Sequence, residues 1–435
     1  MEELYGRQKA MLKDELAQLD DSFQCRKALL VTNKVSCQRC GSYFSKNENQ
    51  LSNKEYYCPY CIQFGRLSMQ SYLVTQIESK KTPREVLFTW QGKLTPAQQK
   101  VSDNVLKNFQ EGKNSLIWAV TGSGKTEMIF SVVRDCLQNG GRLAISSPRI
   151  DVCRELYPRI NEVFPEEDTL LLYGDSAEKY RYNALTICTT HQLLHFYQAF
   201  DLLIIDEVDA FPYEGDKTLA FAQKNALKKG GQYIYLSATP PNHLLSSLPK
   251  TFCIEKLPVR FHERPLIVPQ LIWYESWQYC YHSNWRLKKF VAYLKKLLED
   301  NDVLVFCPSI SYMQHLFQKV RLFLHSIKMD CVSSLDKQRE EKVQNMRDGV
   351  YRVLFCTTIL ERGVTFEHIS VIVMGANHKI YSKSALVQIA GRVDRKRSYQ
   401  KGQVVFFYNQ QTQAIRDACE EIKKMNRLAK EWIAS

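Results

Sequence analysis

Two alternations of short apolar runs with amphipathic stretches organise this chain. In the first, the apolar SLIWAV of residues 115–120 precedes EMIFSVVRDCLQNGG at 127–141, whose apolar positions recur at helical spacing until Gly140 and Gly141 stop them. Further on, DLLIIDEVD at 201–209 has the continuous apolar run of a parallel strand buried on both faces, with Asp206 and Glu207 emerging at its carboxyl end. A second alternation begins near Trp285 and contains VLVFCPS (303–309), VLFCTT (353–358), VIVMGA (371–376) and VVFFYN (404–409). The pattern predicts an α/β protein with two parallel sheets. Residues 80–85, KKTPRE, are polar, basic and proline-containing, as an inter-domain linker would be. We place domains at 1–85, 86–256 and 257–435.

At 435 residues the chain exceeds one ordinary core, and a 45% hydrophobic content suits a globular protein. Lysine and arginine number 59 against 46 acidic residues, a net charge of +13. Such an excess favours polyanionic partners, nucleic acid first and an anionic membrane surface second. Ten of the 14 cysteines are scattered singly, several in apolar runs, as buried thiols of a reducing compartment would be. MEELYGRQKAMLKDELAQLD at the start lacks the apolar core of a signal peptide, and no apolar run is long enough to span a bilayer. The expected location is the cytoplasm.

The other four cysteines are ordered. Cys37 and Cys40 form one C-x₂-C pair, Cys58 and Cys61 another, with 17 residues between the pairs. Two such knuckles complete a tetrahedral zinc site, so a module at about 34–64 is expected. Four protein ligands leave no open position, which makes the Zn²⁺ structural.

AVTGSGKTE at 119–127 has the spacing of a phosphate-binding loop, with Ala119 where the first glycine usually stands. Here the backbone N–H groups around Thr121, Gly122, Ser123 and Gly124 would cradle phosphates at a helix N-terminus. Lys125 would reach the β- and γ-phosphates, and the Thr126 hydroxyl would bind Mg²⁺. Asp206 would hold the same ion, while Glu207 can accept a proton from attacking water. Near the end, QIAGRVDR at 388–395 places Arg392 and Arg395 at helical spacing, so that they would share one helix face and serve as arginine finger and γ-phosphate sensor.

In order, the chain carries LTPAQ (94–98), AVTGSGKTE, SPR (147–149), TTHQ (189–192), DEVD (206–209), SAT (237–239), TTILERGVT (357–365) and QIAGRVDR. This succession resembles the superfamily 2 helicases and translocases over residues 86–435. The resemblance implies two RecA-like domains and the cofactors ATP and Mg²⁺. It implies further that Gln98 reads adenine, that Gln388, Arg392 and Arg395 complete the ATP site, and that Ser237 and Thr239 relay its state. By the same resemblance SPR, TTHQ and TTILERGVT grip the nucleic-acid backbone. With a Cys₄ module ahead of the motor, the chain is similar to the ComFA family, DNA-import ATPases of natural competence. That similarity implies a single-stranded DNA partner, a DNA-import channel protein and other competence proteins at the inner membrane face, and it admits a homo-oligomer. The alternative is a helicase of replication restart or repair, whose primosomal members share the AVTGSGKTE-like loop. A zinc-dependent binder with a decayed ATPase fits worse, because Lys125, Glu207 and Arg392 are intact.

Overall fold

The computed structural model describes residues 4–46, 49–52, 54–76, 78, 82–174, 176, 180–210, 215–394 and 401–434. Packing divides the chain into two units: Met1–Trp118 with Lys125–Lys256, and Ala119–Gly124 with Leu257–Ser435. The phosphate loop therefore belongs by its contacts to the second unit, although the strand before it and the helix after it belong to the first.

The N-terminal strands are β1 (Lys9–Leu12), β2 (Phe23–Lys27), β3 (Leu29–Val31), β4 (Val35–Cys37), β5 (Tyr43–Phe44) and β6 (Ser71–Gln76). They form two antiparallel sheets, β1-β6-β2 and β3-β4-β5. After them comes a sheet of β7 (Asn114–Ala119), β8 (Leu143–Ser147), β9 (Thr169–Leu172), β10 (Leu185–Thr189), β11 (Phe200–Ile205), β12 (Leu227–Ser237) and β13 (Phe252–Leu257). Its order is β13-β7-β12-β11-β8-β10-β9, and every pair from β7 to β9 is parallel. All five positions of β8 and of β10 are buried, as a sheet covered by helices on both faces requires. The helix Pro96–Gln110 starts where its sequence directs: Thr95 caps it, Pro96 fills the first turn, and Gln98 closes a capping box.

In the second unit β14 (Gln270–Trp273), β15 (Asp302–Phe306), β16 (Met329–Val332), β17 (Val353–Cys356), β18 (Ile369–Val373) and β19 (Val404–Tyr408) form a sheet of order β14-β19-β18-β15-β17-β16, parallel throughout. The two parallel sheets expected from the apolar runs are both present, as the resemblance to two RecA-like domains also implies.

Three details differ from the sequence reading. The second alternation starts at β14, ahead of Trp285, because its four residues are too few and too exposed to register as a strand pattern. The helix after the phosphate loop is interrupted at Ile129, giving Lys125–Met128 and Phe130–Gln138. The helix of the QIAGRVDR segment is Lys383–Ala390, so Arg392 lies beyond its end and not on a helical face. Gly391 is its C-terminal cap, and Asp394 turns into the left-handed region at φ +53°. Arg395 itself lies outside the described residues.

Candidate active site

Gly122 and Gly124 take φ of +76° and +75°, a region that strains any residue with a Cβ. Alternation of this kind curls successive N–H groups toward one point and makes an anion-binding nest. The Ser123 amide donates to the Val120 carbonyl at 3.2 Å and tightens the turn. Thr121 and Ser123 are buried, while Lys125 and Thr126 at the helix start are half-buried. Among the described residues the buried Thr121 hydroxyl finds no hydrogen-bond partner. The loop has the backbone form and the open donor that a phosphate chain needs.

Strand order decides what stands near what at the carboxyl edge of the first sheet, the ligand side of such folds. Because β12 lies beside β11 in the sheet, the segments leaving those two strands, Ser237–Thr239 and Asp206–Asp209, are neighbours. The Asp206 amide donates to Ser146 O at 2.8 Å, aligning the end of β11 with that of β8. Glu207 sits at φ +53°, and its amide donates to Asp206 Oδ1 at 2.8 Å. A non-glycine residue in that region costs about 1–3 kcal/mol unless its surroundings hold it there.

Asp209 was not singled out from the sequence, yet it joins two motifs. Buried at 3% exposure, it accepts Ser237 Oγ at 2.7 Å on one oxygen and Thr239 Oγ1 at 2.6 Å on the other. Asp209 therefore ties the DEVD segment to the SAT segment. Gln98 is buried, and its side-chain oxygen accepts the Thr95 amide at 2.8 Å, so it has a capping role whatever else it does.

Arg260, also passed over in the sequence, is the clasp of the second unit. At 1% exposure it donates to the carbonyls of Gly391 (3.2 Å), Val393 (3.0 Å) and Asp394 (2.9 Å). Its stem lies 3.9 Å from where a Gly122 Cβ would be, and the Phe261 amide donates to Gly122 O at 3.2 Å. Gly391 packs so closely on Thr121 that a methyl group there would overlap the threonine side chain. The QIAGR segment and the phosphate loop thus touch within this unit. Arg392, 1% exposed, donates from Nη1 to Val364 O in the TTILERGVT segment; Arg362 of that segment donates to Ser384 Oγ at 2.9 Å, and Gln388 is buried on the intervening helix. A lone arginine in a loop, as in RFHERPL, carries no spacing signal that would have marked Arg260.

The sulfurs of Cys37, Cys40, Cys58 and Cys61 lie within 4.8 Å of one another and are buried. Cys37 and Cys61 stand 3.8 Å apart, Cys40 and Cys58 3.6 Å, and Cys58 and Cys61 3.5 Å, sulfur to sulfur. Tetrahedral ligation with metal–sulfur bonds of about 2.3 Å sets sulfurs about 3.8 Å apart, so the donor set fits a thiophilic metal. Arg39, 3% exposed, straps the second knuckle by donating to Cys61 O and Phe64 O (both 2.7 Å), Gly65 O (2.5 Å) and Cys61 Sγ (3.2 Å). The hydrogen bond from Cys37 and, less strongly, the Arg39 charge hold the Cys61 thiol below its usual range.

This module is not set apart from the motor. Its four cysteines share one buried core with Phe196, Phe200, Leu203 and Ile205. Phe64 stacks on His191 at 6.5 Å and meets His195 edge-on at 5.4 Å, on the 3-10 segment Thr190–His195 that carries most of TTHQ. Burial, helped by Arg7 and Arg39, pushes His195 down to about 3, so this contact keeps a neutral imidazole throughout the physiological range.

Residues 95–246 match the DEAD/DEAH box helicase family, and residues 286–397 match the helicase conserved C-terminal domain. The chain is 40% identical to competence protein ComFA of Bacillus subtilis over 91% of its own length and 86% of that protein's. It is likewise 40% identical to competence protein ComFA of Streptococcus pneumoniae, over 91% of each. Among solved structures, Saccharomyces cerevisiae Dbp5 bound to RNA and ADP BeF3 superposes with a TM-score of 0.58 at 17% identity, covering 76% of this chain and 91% of Dbp5.

Proposed function

The chain belongs to the ComFA family of ATP-hydrolysing superfamily 2 motors, and from that membership we propose that it draws single-stranded transforming DNA into the cytoplasm during natural competence. The observation that carries this reading is the 40% identity to two competence proteins over 91% of the chain. The restart-helicase alternative has no comparable support along the whole length.

In this proposal ATP binds at the nest of Thr121–Gly124, with Lys125 on its β- and γ-phosphates and Gln98 at the adenine. Thr126 and Asp206 would hold Mg²⁺, which would supply charge neutralisation on the phosphates. Glu207 takes the proton of the attacking water. Asp209, bonded to Ser237 and Thr239, passes the state of the DEVD segment to SAT. Arg392 adds positive charge beside the phosphate loop, which Gly391 already touches; Gln388 stands on the same short segment, and Arg395 is assigned there by motif position alone. Strand grip comes from SPR, TTHQ and TTILERGVT, and phosphate contacts make it tolerant of sequence and sensitive to salt.

The test is ATP turnover measured in parallel with single-stranded DNA, duplex DNA and RNA. Strongest stimulation by single-stranded DNA, together with loss of transformation but not of surface DNA binding in a deletion strain, is the expected result. Normal transformation in that strain with sensitivity to DNA damage would overturn the import reading.

We assign the four cysteines to a structural Zn²⁺ on the fit of their spacing. No helix among the described residues is long and apolar enough to cross a membrane, so import would need a channel made by another protein, with this chain docked at the membrane's inner face. Cys37→Ser should lower both zinc content and the melting temperature. Because the cysteines share their core with β11, the loss should reach the first unit as a whole and reduce DNA stimulation through Phe64 and His191. Elemental analysis that finds the wild type free of zinc would reject the assignment.

A further inference from the structure

The segment from Trp273 to Leu298 of the second unit carries exposed aromatic rings that none of the motor motifs uses. Trp285 is 78% exposed, Tyr279 59% and Trp273 53%. Trp273 and its register partner Tyr408 end β14 and β19, so the rings begin at the carboxyl edge of the sheet, where open α/β folds take their ligands. Trp273 meets Tyr408 edge-on at 5.7 Å, and Tyr279 lies 5.9 Å from the exposed His282. Ser283 then caps the helix Asn284–Leu298, whose second residue is Trp285.

That helix is amphipathic in an uncommon way. Leu287, Phe290, Val291, Leu294, Leu297 and Leu298 are buried in the unit's core. The opposite face shows Trp285, Lys288, Lys289, Lys295 and Lys296, all exposed, at spacings that keep them on one stripe. Helical rise makes that stripe about 16 Å long. The helix contains five basic residues, counting Arg286, and no acidic one. None of the five has an ion-pair partner among the described residues. Lys289 Nζ donates to Trp273 O at 2.5 Å, and Tyr274 OH donates to Arg286 O at 2.5 Å, which joins the end of β14 to the start of the helix.

Exposed flat rings beside lysines that have no ion-pair partner among the described residues are the two ingredients of single-strand binding: bases stack on the rings, and the backbone lies along the cations. A membrane surface would use the same charges, but a helix that lies in a bilayer keeps its apolar face outward, and here that face is the unit's own core. We propose that Trp285, flanked by Trp273 and Tyr279 and continued by Lys288, Lys289, Lys295 and Lys296, is a base-stacking platform for the DNA strand, separate from the backbone-gripping motifs. It rests on the translocase reading and adds to it a site that contacts bases.

The experiment uses the full chain and two fluorescent strands of equal length, oligo(dT) and a strand of abasic sites, which keeps the phosphates and lacks the rings. Trp285→Ala should weaken oligo(dT) binding on the order of tenfold and leave the abasic strand unaffected, since one stacked base accounts for about that much. Trp285→Phe should restore most of the loss. Lys295→Ala with Lys296→Ala should weaken both strands and flatten the salt dependence by about 1.4 in log–log slope. An unchanged melting temperature of Trp285→Ala shows that the fold is intact. Wild-type oligo(dT) affinity in that variant, equal loss on both strands, or a loss confined to anionic phosphatidylserine vesicles would each overturn the platform. Absence of single-stranded DNA stimulation in the wild type would instead remove the translocase reading beneath it.

Discussion

Arg392→Ala is expected to abolish DNA-stimulated ATP hydrolysis while nucleotide binding survives. The guanidinium follows Gly391, which packs on Thr121 of the phosphate loop, and it is 1% exposed with Nη1 on Val364 O. An arginine that neutralises charge developing on the transferred phosphoryl group is worth about 10³–10⁵ in rate. A second role follows from its burial, because the same side chain ties the end of the QIAGR segment to the TTILERGVT segment. Removing it leaves the Val364 carbonyl without that donor, at about 1–3 kcal/mol. The two roles separate with Arg392→Lys, which keeps the charge and loses the planar fork. Turnover, binding of a fluorescent ATP analogue and the melting temperature should be measured on both variants. A stimulated rate within a few-fold of wild type, in a protein that melts normally, would make Arg392 a purely structural arginine.

Glu207→Gln should bind ATP as the wild type does and hydrolyse it about 10²–10⁴ times more slowly, the usual cost of losing a general base. Glutamine has nearly the same shape, so the backbone at φ +53° and the Glu207 N–H to Asp206 bond at 2.8 Å should persist. Only the capacity to take a proton is lost. Lys125→Ala makes the contrasting prediction, in which ATP affinity falls along with turnover. Phosphate release and equilibrium binding on the two variants distinguish them, and near-normal hydrolysis by Glu207→Gln would remove that residue from the mechanism.

The phosphate loop, DEVD, SAT and the cysteine pairs were legible in the sequence because each is a short run whose chemistry depends on spacing along the chain. The strands that carry most of them were equally plain, since buried parallel strands are continuous apolar runs. Strand β12 was not: after the buried Leu227 its first half, KKGGQ, is polar and at most half-buried, and unbroken burial comes only at its end. Yet it is the strand that sets SAT beside DEVD.

Local pattern by itself therefore determined the fold class, the two sheets, the order of the motifs and the pairing of the four clustered cysteines. Tertiary structure alone decided that Asp209 bonds Ser237 and Thr239, that Arg260 clasps residues 131 to 134 positions away, and that the cysteine knuckle braces TTHQ through Phe64. It also ended the QIAGR helix before Arg392, against the spacing argument. The physical reason is the range of the forces involved. Helical and strand periodicity, capping and turn chemistry act within a few residues and leave a local mark. A buried arginine or carboxylate instead takes whichever partners the packed core brings to it, and those partners lie far away in the chain, where no period connects them.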